Sequence, residues 1–142
     1  MSLSEFELIS KYFCEPSLSR PDVSLSIGDD AAIINIPTGQ QLNTVLIQWL
    51  EGEDYSKEES GFNTGKSLLQ RALKDFDSSD IPPGWMTLSL SMQSSSNEWL
   101  SQFSQGLFSV AKENNIQLIG GDTTCGPGGL RLHLMGLQKI NS

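Results

Sequence analysis

Between Met86 and Met92 the chain alternates without a break, Met86, Leu88, Leu90 and Met92 being apolar and Thr87, Ser89 and Ser91 polar. Successive side chains of a strand point to opposite faces, so a period of two predicts a strand with one buried face. A change of period follows at once. Ser94-Ser95-Ser96-Asn97 offers helix-capping side chains, and Trp99, Leu100, Phe103, Leu107, Phe108, Val110 and Ala111 then recur at helical spacing until Asn114-Asn115. A strand leading directly into an amphipathic helix places the chain among folds that combine a sheet with helices.

The same reading extends to both sides. Ser4 and Glu7 make a capping box, and Phe6, Leu8, Ile9, Tyr12 and Phe13 predict a first helix over residues 4–14, ended by Pro16 and Pro21. The apolar run from Ala31 to Ile36, closed by Pro37-Thr38-Gly39, predicts a buried strand and a turn. Leu42 to Leu50 predicts a second strand, and the two are expected to pair as a hairpin. After the acidic stretch 51–61, a helix from Thr64 to Phe76 turns Leu68, Leu69, Ala72, Leu73 and Phe76 to one side. Pro82-Pro83-Gly84 marks a turn. Ile116 to Ile119 predicts a strand running into a Gly120-Gly121 turn, and a last strand carries Leu130, Leu132 and Leu134 on one face and Arg131, His133 and Met135 on the other. The order helix, strand, strand, helix, strand, helix, strand, strand gives an α+β fold with a mixed β-sheet. At 142 residues one domain over 1–142 is expected, since single domains centre near roughly 150 residues.

Composition narrows the function classes. The longest apolar run falls far short of the ~20 residues that span a bilayer, and MSLSEFELISKYF lacks a basic stretch ahead of an apolar one. No membrane association and a cytoplasmic location are expected. A net charge of −8 with nine scattered Lys and Arg makes no surface for nucleic-acid phosphates. Such acidity reads either as a solvated surface or as a site that collects divalent metal. Cys14 and Cys125 stand far apart with no ligand spacing, so both read as plain thiols.

Four features could carry chemistry. Asp29-Asp30, just ahead of a strand, offers hard oxygen ligands to magnesium, or is a turn that uses Asp for backbone hydrogen bonds. Gly120-Gly121-Asp122-Thr123-Thr124 follows a strand, so its glycines permit close approach of a ligand while Asp122 and two hydroxyls point at it. A plain glycine turn has the same sequence. Ser60-Gly61-Phe62-Asn63-Thr64-Gly65-Lys66-Ser67 nearly spells a P-loop, but three residues rather than four separate its glycines and no apolar strand precedes it. His133 is the only histidine and has no nucleophile or acid at a defined spacing, which reads as structural.

Together the segments SEFELISKYF, SIGDDAAIINIP, WMTLSLSM, EWLSQFSQGLFSVA and QLIGGDTTCGP resemble successive blocks of the thiamine-monophosphate kinase family, in its order and at its spacing. The resemblance implies a domain related to the N-terminal domain of aminoimidazole ribonucleotide synthetase, a mixed sheet with helices packed on one face. In that family such domains pair through their sheets into a homodimer, and a separate C-terminal domain completes the ATP site. The implied reaction moves the γ-phosphoryl group of ATP to thiamine monophosphate, with Mg2+ stabilising the charge.

Carried over residue by residue, the resemblance implies a nucleotide site at Gly120, Gly121, Asp122 and Thr123, with Asp30 and Asp122 as metal ligands. The family's Thr-Asp-Thr-Leu-Val-Glu-Gly-Val-His-Phe falls on Leu46 through Tyr55, so Ile47 replaces a metal-binding aspartate and Asp54 a substrate-associated histidine. Its Asn-Leu-Ser-Asp-Leu-Ala-Ala-Met-Gly falls on Ala72 through Asp80, which keeps metal-associated Asp75 beside Lys74. Asp30, Asp75 and Asp122 thus remain as the implied metal set. With one ligand missing and no C-terminal domain in these 142 residues, the expectation is a catalytically degenerate, dimerising module that binds nucleotide and metal. The alternative is a working half-site completed by a separate chain.

Overall fold

Eleven-residue strands need partners of matching length, and the chain supplies one such pair. In a computed structural model, which describes residues 12–13, 20–25, 32–76, 81–92 and 97–140, the elements run β1 (Val23–Leu25), β2 (Ile33–Ile34), β3 (Gln40–Leu50), α1 (Gly61–Asp75), β4 (Trp85–Met92), α2 (Asn97–Glu113), β5 (Gln117–Cys125) and β6 (Gly129–Lys139). Strands β3 and β6 pair antiparallel over their full lengths, Gln40 opposite Lys139 through Leu50 opposite Gly129. The sheet order is β3-β6-β4-β5, with β6 antiparallel to β4 and β4 parallel to β5. A parallel pair needs a crossover, and α2 provides it.

Register decides which side of the sheet is apolar. Val45, Ile47 and Trp49 of β3, Leu130, Leu132 and Leu134 of β6, and Met86, Leu88, Leu90 and Met92 of β4 share one core with Leu68, Leu69 and Ala72 of α1 and Leu100, Phe103, Leu107 and Phe108 of α2. Both helices therefore cover the same face, as expected. Tyr12 and Phe13 are buried in this core, while the rest of the predicted first helix lies outside the described residues. On the opposite face Trp85, Ile119 and Met135 form a smaller cluster capped by Val23, Ala32, Ile34 and Leu137. No described helix is long and apolar enough to cross a membrane.

The segment that imitates a P-loop serves helix packing. Ser60 caps α1, its Oγ accepting from the Asn63 N–H at 3.4 Å, so the helix begins at Gly61 rather than at Thr64. A Cβ at Gly61 would strike the Trp99 carbonyl, one at Gly65 the Phe103 carbonyl, and one at Gly106 the Phe62 carbonyl. Three missing side chains thus let the backbones of α1 and α2 meet. At the far end of α2, Asn115 takes a φ of 55°, a left-handed conformation that asparagine tolerates, and the helix stops where predicted.

Two expectations are corrected. The predicted hairpin with β3 is not formed: among the described residues 32–36 only Ile33–Ile34 is strand, and it pairs antiparallel with β1, a three-residue strand the apolar pattern had not revealed. A two-residue strand cannot satisfy the backbone of an eleven-residue one, whereas β6 can. Nor is Gly120-Gly121 a turn. Strand β5 continues through it to Cys125, and the reversal into β6 falls at 126–128.

Candidate functional site

Strand β5 lies at the edge of the described sheet, so its outer backbone groups face no strand among the described residues. Its pairing with β4 shifts register once: Met86 stands opposite Leu118, but Thr87 opposite Gly120. Ile119 is the extra residue of a bulge, a device that re-aims the side chains after it. The two glycines beyond the bulge differ. A Cβ at Gly121 would collide with the Leu88 carbonyl oxygen, so this glycine is what lets β5 lie against β4. A Cβ at Gly120 would meet nothing within 4 Å, so packing does not require glycine there, and its bareness leaves room at an exposed edge.

Asp122 follows, exposed, with Oδ1 accepting from the Thr123 N–H at 2.9 Å. That bond fixes the carboxylate and leaves a second oxygen. By register Asp122 is level with Ser89 on β4, Arg131 on β6 and Gln48 on β3, and Arg131 donates to Gln48 Oε1 at 3.2 Å. His133 is half-buried, level with Leu46 and Thr87.

The other implied ligands are distributed differently. Asp75 ends α1, where Arg71 Nε donates to its Oδ2 at 3.2 Å one turn away. Next to it, the Phe76 ring packs where a Cβ on Gly136 would sit. Gly136 is five residues along β6 from Arg131, on the order of 17 Å at roughly 3.4 Å per residue. The Phe76 ring beside Asp75 thus stands near a different level of the sheet from Asp122. Asp30 lies outside the described residues, and among those described no group of three or more His, Cys, Asp or Glu could hold a metal ion.

Ile47 is 9% exposed and faces the helices, level with Leu132 and Leu88. An apolar side chain here completes the core. Asp54 is occupied as well: its Oδ2 accepts from the Leu50 N–H at 2.8 Å while its own N–H donates to the Leu50 carbonyl at 2.9 Å. The carboxylate therefore closes the turn after β3. Tyr55 is buried with its ring 6.1 Å from that of Trp99. Burial, aided by the negative charge of Glu51, pushes its phenol up to about 12, so it stays neutral at ordinary pH. Glu51 lies 3.7 Å from Lys57 Nζ, and its N–H donates to the Gly128 carbonyl at 3.1 Å, joining this loop to the β5–β6 turn.

Sequence reasoning missed one polar cluster, formed by Arg20, Asp22, Trp85 and Gln117. The bonds that tie Asp22 to Trp85 and Arg20 to Gln117 span 63 and 97 residues, and no local pattern announces contacts of that range.

A family model described as AIR synthase related protein, N-terminal domain, matches residues 28–137. The thiamine-monophosphate kinase of Buchnera aphidicola subsp. Acyrthosiphon pisum is 36% identical over 139 residues, which are 98% of this chain and 43% of that protein. That of Escherichia coli is 36% identical over 140 residues, 99% and 43% respectively. The chain thus spans about 43% of the length of these curated relatives. Among solved structures, thiamine-monophosphate kinase from Stenotrophomonas maltophilia matches with a TM-score of 0.81 at 37% identity, over 98% of this chain and 44% of that one. The AaThiL structure complexed with AMPPCP and TMP shares the fold at 16% identity, with a TM-score of 0.67 over 98% and 44% of the two chains.

Proposed function

Because this chain belongs to the AIR synthase related family, whose N-terminal domain it matches over 28–137, we propose that it is a nucleotide-binding, dimer-forming module of thiamine-monophosphate kinase type that does not itself transfer phosphate. The observation that carries the second half is Ile47. Where the resemblance places a metal-binding carboxylate, this chain buries an aliphatic side chain among Leu132, Leu88 and the helices. Asp54, in the position of a substrate-associated histidine, spends its carboxylate on the Leu50 N–H.

The first half rests on the β5 edge. Gly120 leaves space, Gly121 sets the approach of β5 to β4, and Asp122 offers a carboxylate oxygen beside the Thr123 N–H. Magnesium commonly takes one or two carboxylates and completes its shell with phosphate oxygens and water. Asp122 fits an ion carried in with ATP better than one caged by protein. Bound there, magnesium would neutralise charge on the phosphates. Asp122 would hold the ion, the Thr123 N–H orients the Asp122 carboxylate, and the bare Gly120 would leave room for the phosphate chain. Asp30 and Asp75 are the remaining carboxylates we assign to metal, Asp75 only on leaving Arg71. That AaThiL is complexed with AMPPCP and TMP favours ATP and thiamine monophosphate as the ligand classes.

The alternative, a working half-site completed by a separate chain, draws support from the same intact edge and requires transfer to appear when that chain is added. For the homodimer we assign the face opposite the helices, where Leu42, Leu46 and Leu50 stand 40%, 52% and 42% exposed in one row of β3. Sedimentation should give a species of twice the chain mass, and a strictly monomeric one would remove this part of the reading.

Calorimetric titration with ATP tests the nucleotide site. Binding heat should require magnesium, and Asp122→Ala should weaken binding at least tenfold while the circular dichroism spectrum stays unchanged. Equal affinity in the variant would place the nucleotide elsewhere.

A further inference from the structure

An edge strand with a bulge is poorly held. Among the described residues strand β5 has a ladder on one side only, and that ladder breaks at Ile119, one residue before the edge assigned to nucleotide. Something must fix where β5 enters the sheet, and the cluster around Arg20 does so. The Arg20 backbone N–H donates to Gln117 Oε1 at 2.6 Å, on a first β5 residue that is 4% exposed. Arg20 Nη1 donates to the Asn115 carbonyl at 2.8 Å. Its Nε and Nη2 reach the two oxygens of Asp22 at 3.2 and 3.1 Å, and Trp85 Nε1 donates to Asp22 Oδ1 at 3.1 Å. The guanidinium carbon lies 5.6 Å from the centre of a Trp85 ring. Gly84 is bare beside it, since a Cβ there would approach the guanidinium to 2.8 Å, and the Gly84 carbonyl accepts from the Gln117 N–H at 2.9 Å.

This arrangement needs arginine in particular. A planar fork can grip a carboxylate with two nitrogens, reach a carbonyl with a third and lie against an indole, which the point charge of lysine cannot do. Burial by itself would raise the Asp22 carboxyl, but the bonds from Arg20 and Trp85 and the guanidinium charge outweigh it and lower the value from its ordinary 3.8. The stability tied to this lowering is present above that ordinary value and lost as pH falls through the lowered one, so the cluster stays closed at neutral pH.

We propose that Arg20 and Asp22 form a clamp that positions the Gly120–Thr123 edge for nucleotide, by pinning the start of β5 to the start of β4. Arg20 and Asp22 are positioning residues: they act through Gln117 and the bulge, three residues before Gly120. The inference rests on the reading of that edge as the nucleotide site.

The test compares wild type with Arg20→Lys, and with the milder Asp22→Asn in case the first does not fold, in two measurements. Amide hydrogen exchange by NMR should show Gly121 to Thr124 opening at least tenfold faster in the variants, with amides of the α1–α2 core unchanged. Calorimetry with magnesium and ATP should show at least a tenfold loss of affinity. Unaltered exchange in β5 overturns the clamp whatever the binding result. Faster exchange with unaltered affinity also overturns it as a positioning device and leaves a structural staple. If wild type binds no ATP while β5 exchange behaves as expected, the nucleotide reading fails and the clamp survives only as a structural one.

Discussion

Gly65→Ala should lower the thermal midpoint of this protein by roughly 4–8 °C, although alanine is the better helix former. At an exposed helical site the exchange would be favourable by about 1 kcal/mol. Here the added methyl group meets the Phe103 carbonyl oxygen, part of a backbone that has no rotamer to change. The helices must move apart, and overpacking of this kind costs about 1–3 kcal/mol and sometimes more. A net loss of about 2 kcal/mol corresponds to a shift of this size in a domain near 150 residues, by the scaling of midpoint with unfolding entropy. Lys66→Ala, one residue along on an exposed position, is the control and should stay within about 0.5 kcal/mol of wild type. A raised midpoint in Gly65→Ala would show that α1 and α2 do not approach as described.

Ile47→Asp should cost more, on the order of 4–5 kcal/mol, combining lost apolar burial with a carboxylate placed in the core. Its pH dependence has a definite sign. Burial disfavours the charged form, so the new carboxyl titrates above its unfolded value of about 3.9 in the native state. The variant should come closest to wild type below that value and lose ground as pH rises through the raised one. Magnesium makes the experiment discriminating. If position 47 belongs to the core, added magnesium leaves the midpoint of the variant unchanged at neutral pH. A rise in midpoint with magnesium would mean that a carboxylate at this position reaches a metal site, and the account of Ile47 would be wrong.

How much of this was legible in the sequence depended on whether the signal was local. The alternation from Met86 to Met92 and the helical spacing from Trp99 to Ala111 report which way side chains face, and both elements stand where they were read. A period of two says nothing about neighbours, which is why β3 was paired with the wrong partner. Chain proximity suggested the short run at Ile33, and matched length selected β6. Gly120-Gly121 was read as a turn because glycine serves turns and close contacts alike, and only the Leu88 carbonyl distinguishes them. The candidate site was visible as motif letters at Asp122 and Asp75, but the spacing of letters along a chain does not give their separation across a sheet. The sequence shows only that Asp54 replaces a histidine of the family pattern, and the bond from the Leu50 N–H that its carboxylate accepts is visible only in the structure. The Arg20 clamp left no trace in any window, since each of its long-range bonds joins segments more than sixty residues apart.

We propose that this chain keeps a nucleotide edge at Gly120–Thr123 without the chemistry of phosphoryl transfer. The most direct measurement is an assay of thiamine diphosphate formation from ATP, magnesium and thiamine monophosphate, with the purified chain as the sole catalyst and ATP binding followed calorimetrically in the same buffer. Magnesium-dependent binding with no product above the protein-free rate is the predicted result. Product formed by the chain alone, and abolished in Asp122→Ala, would contradict it.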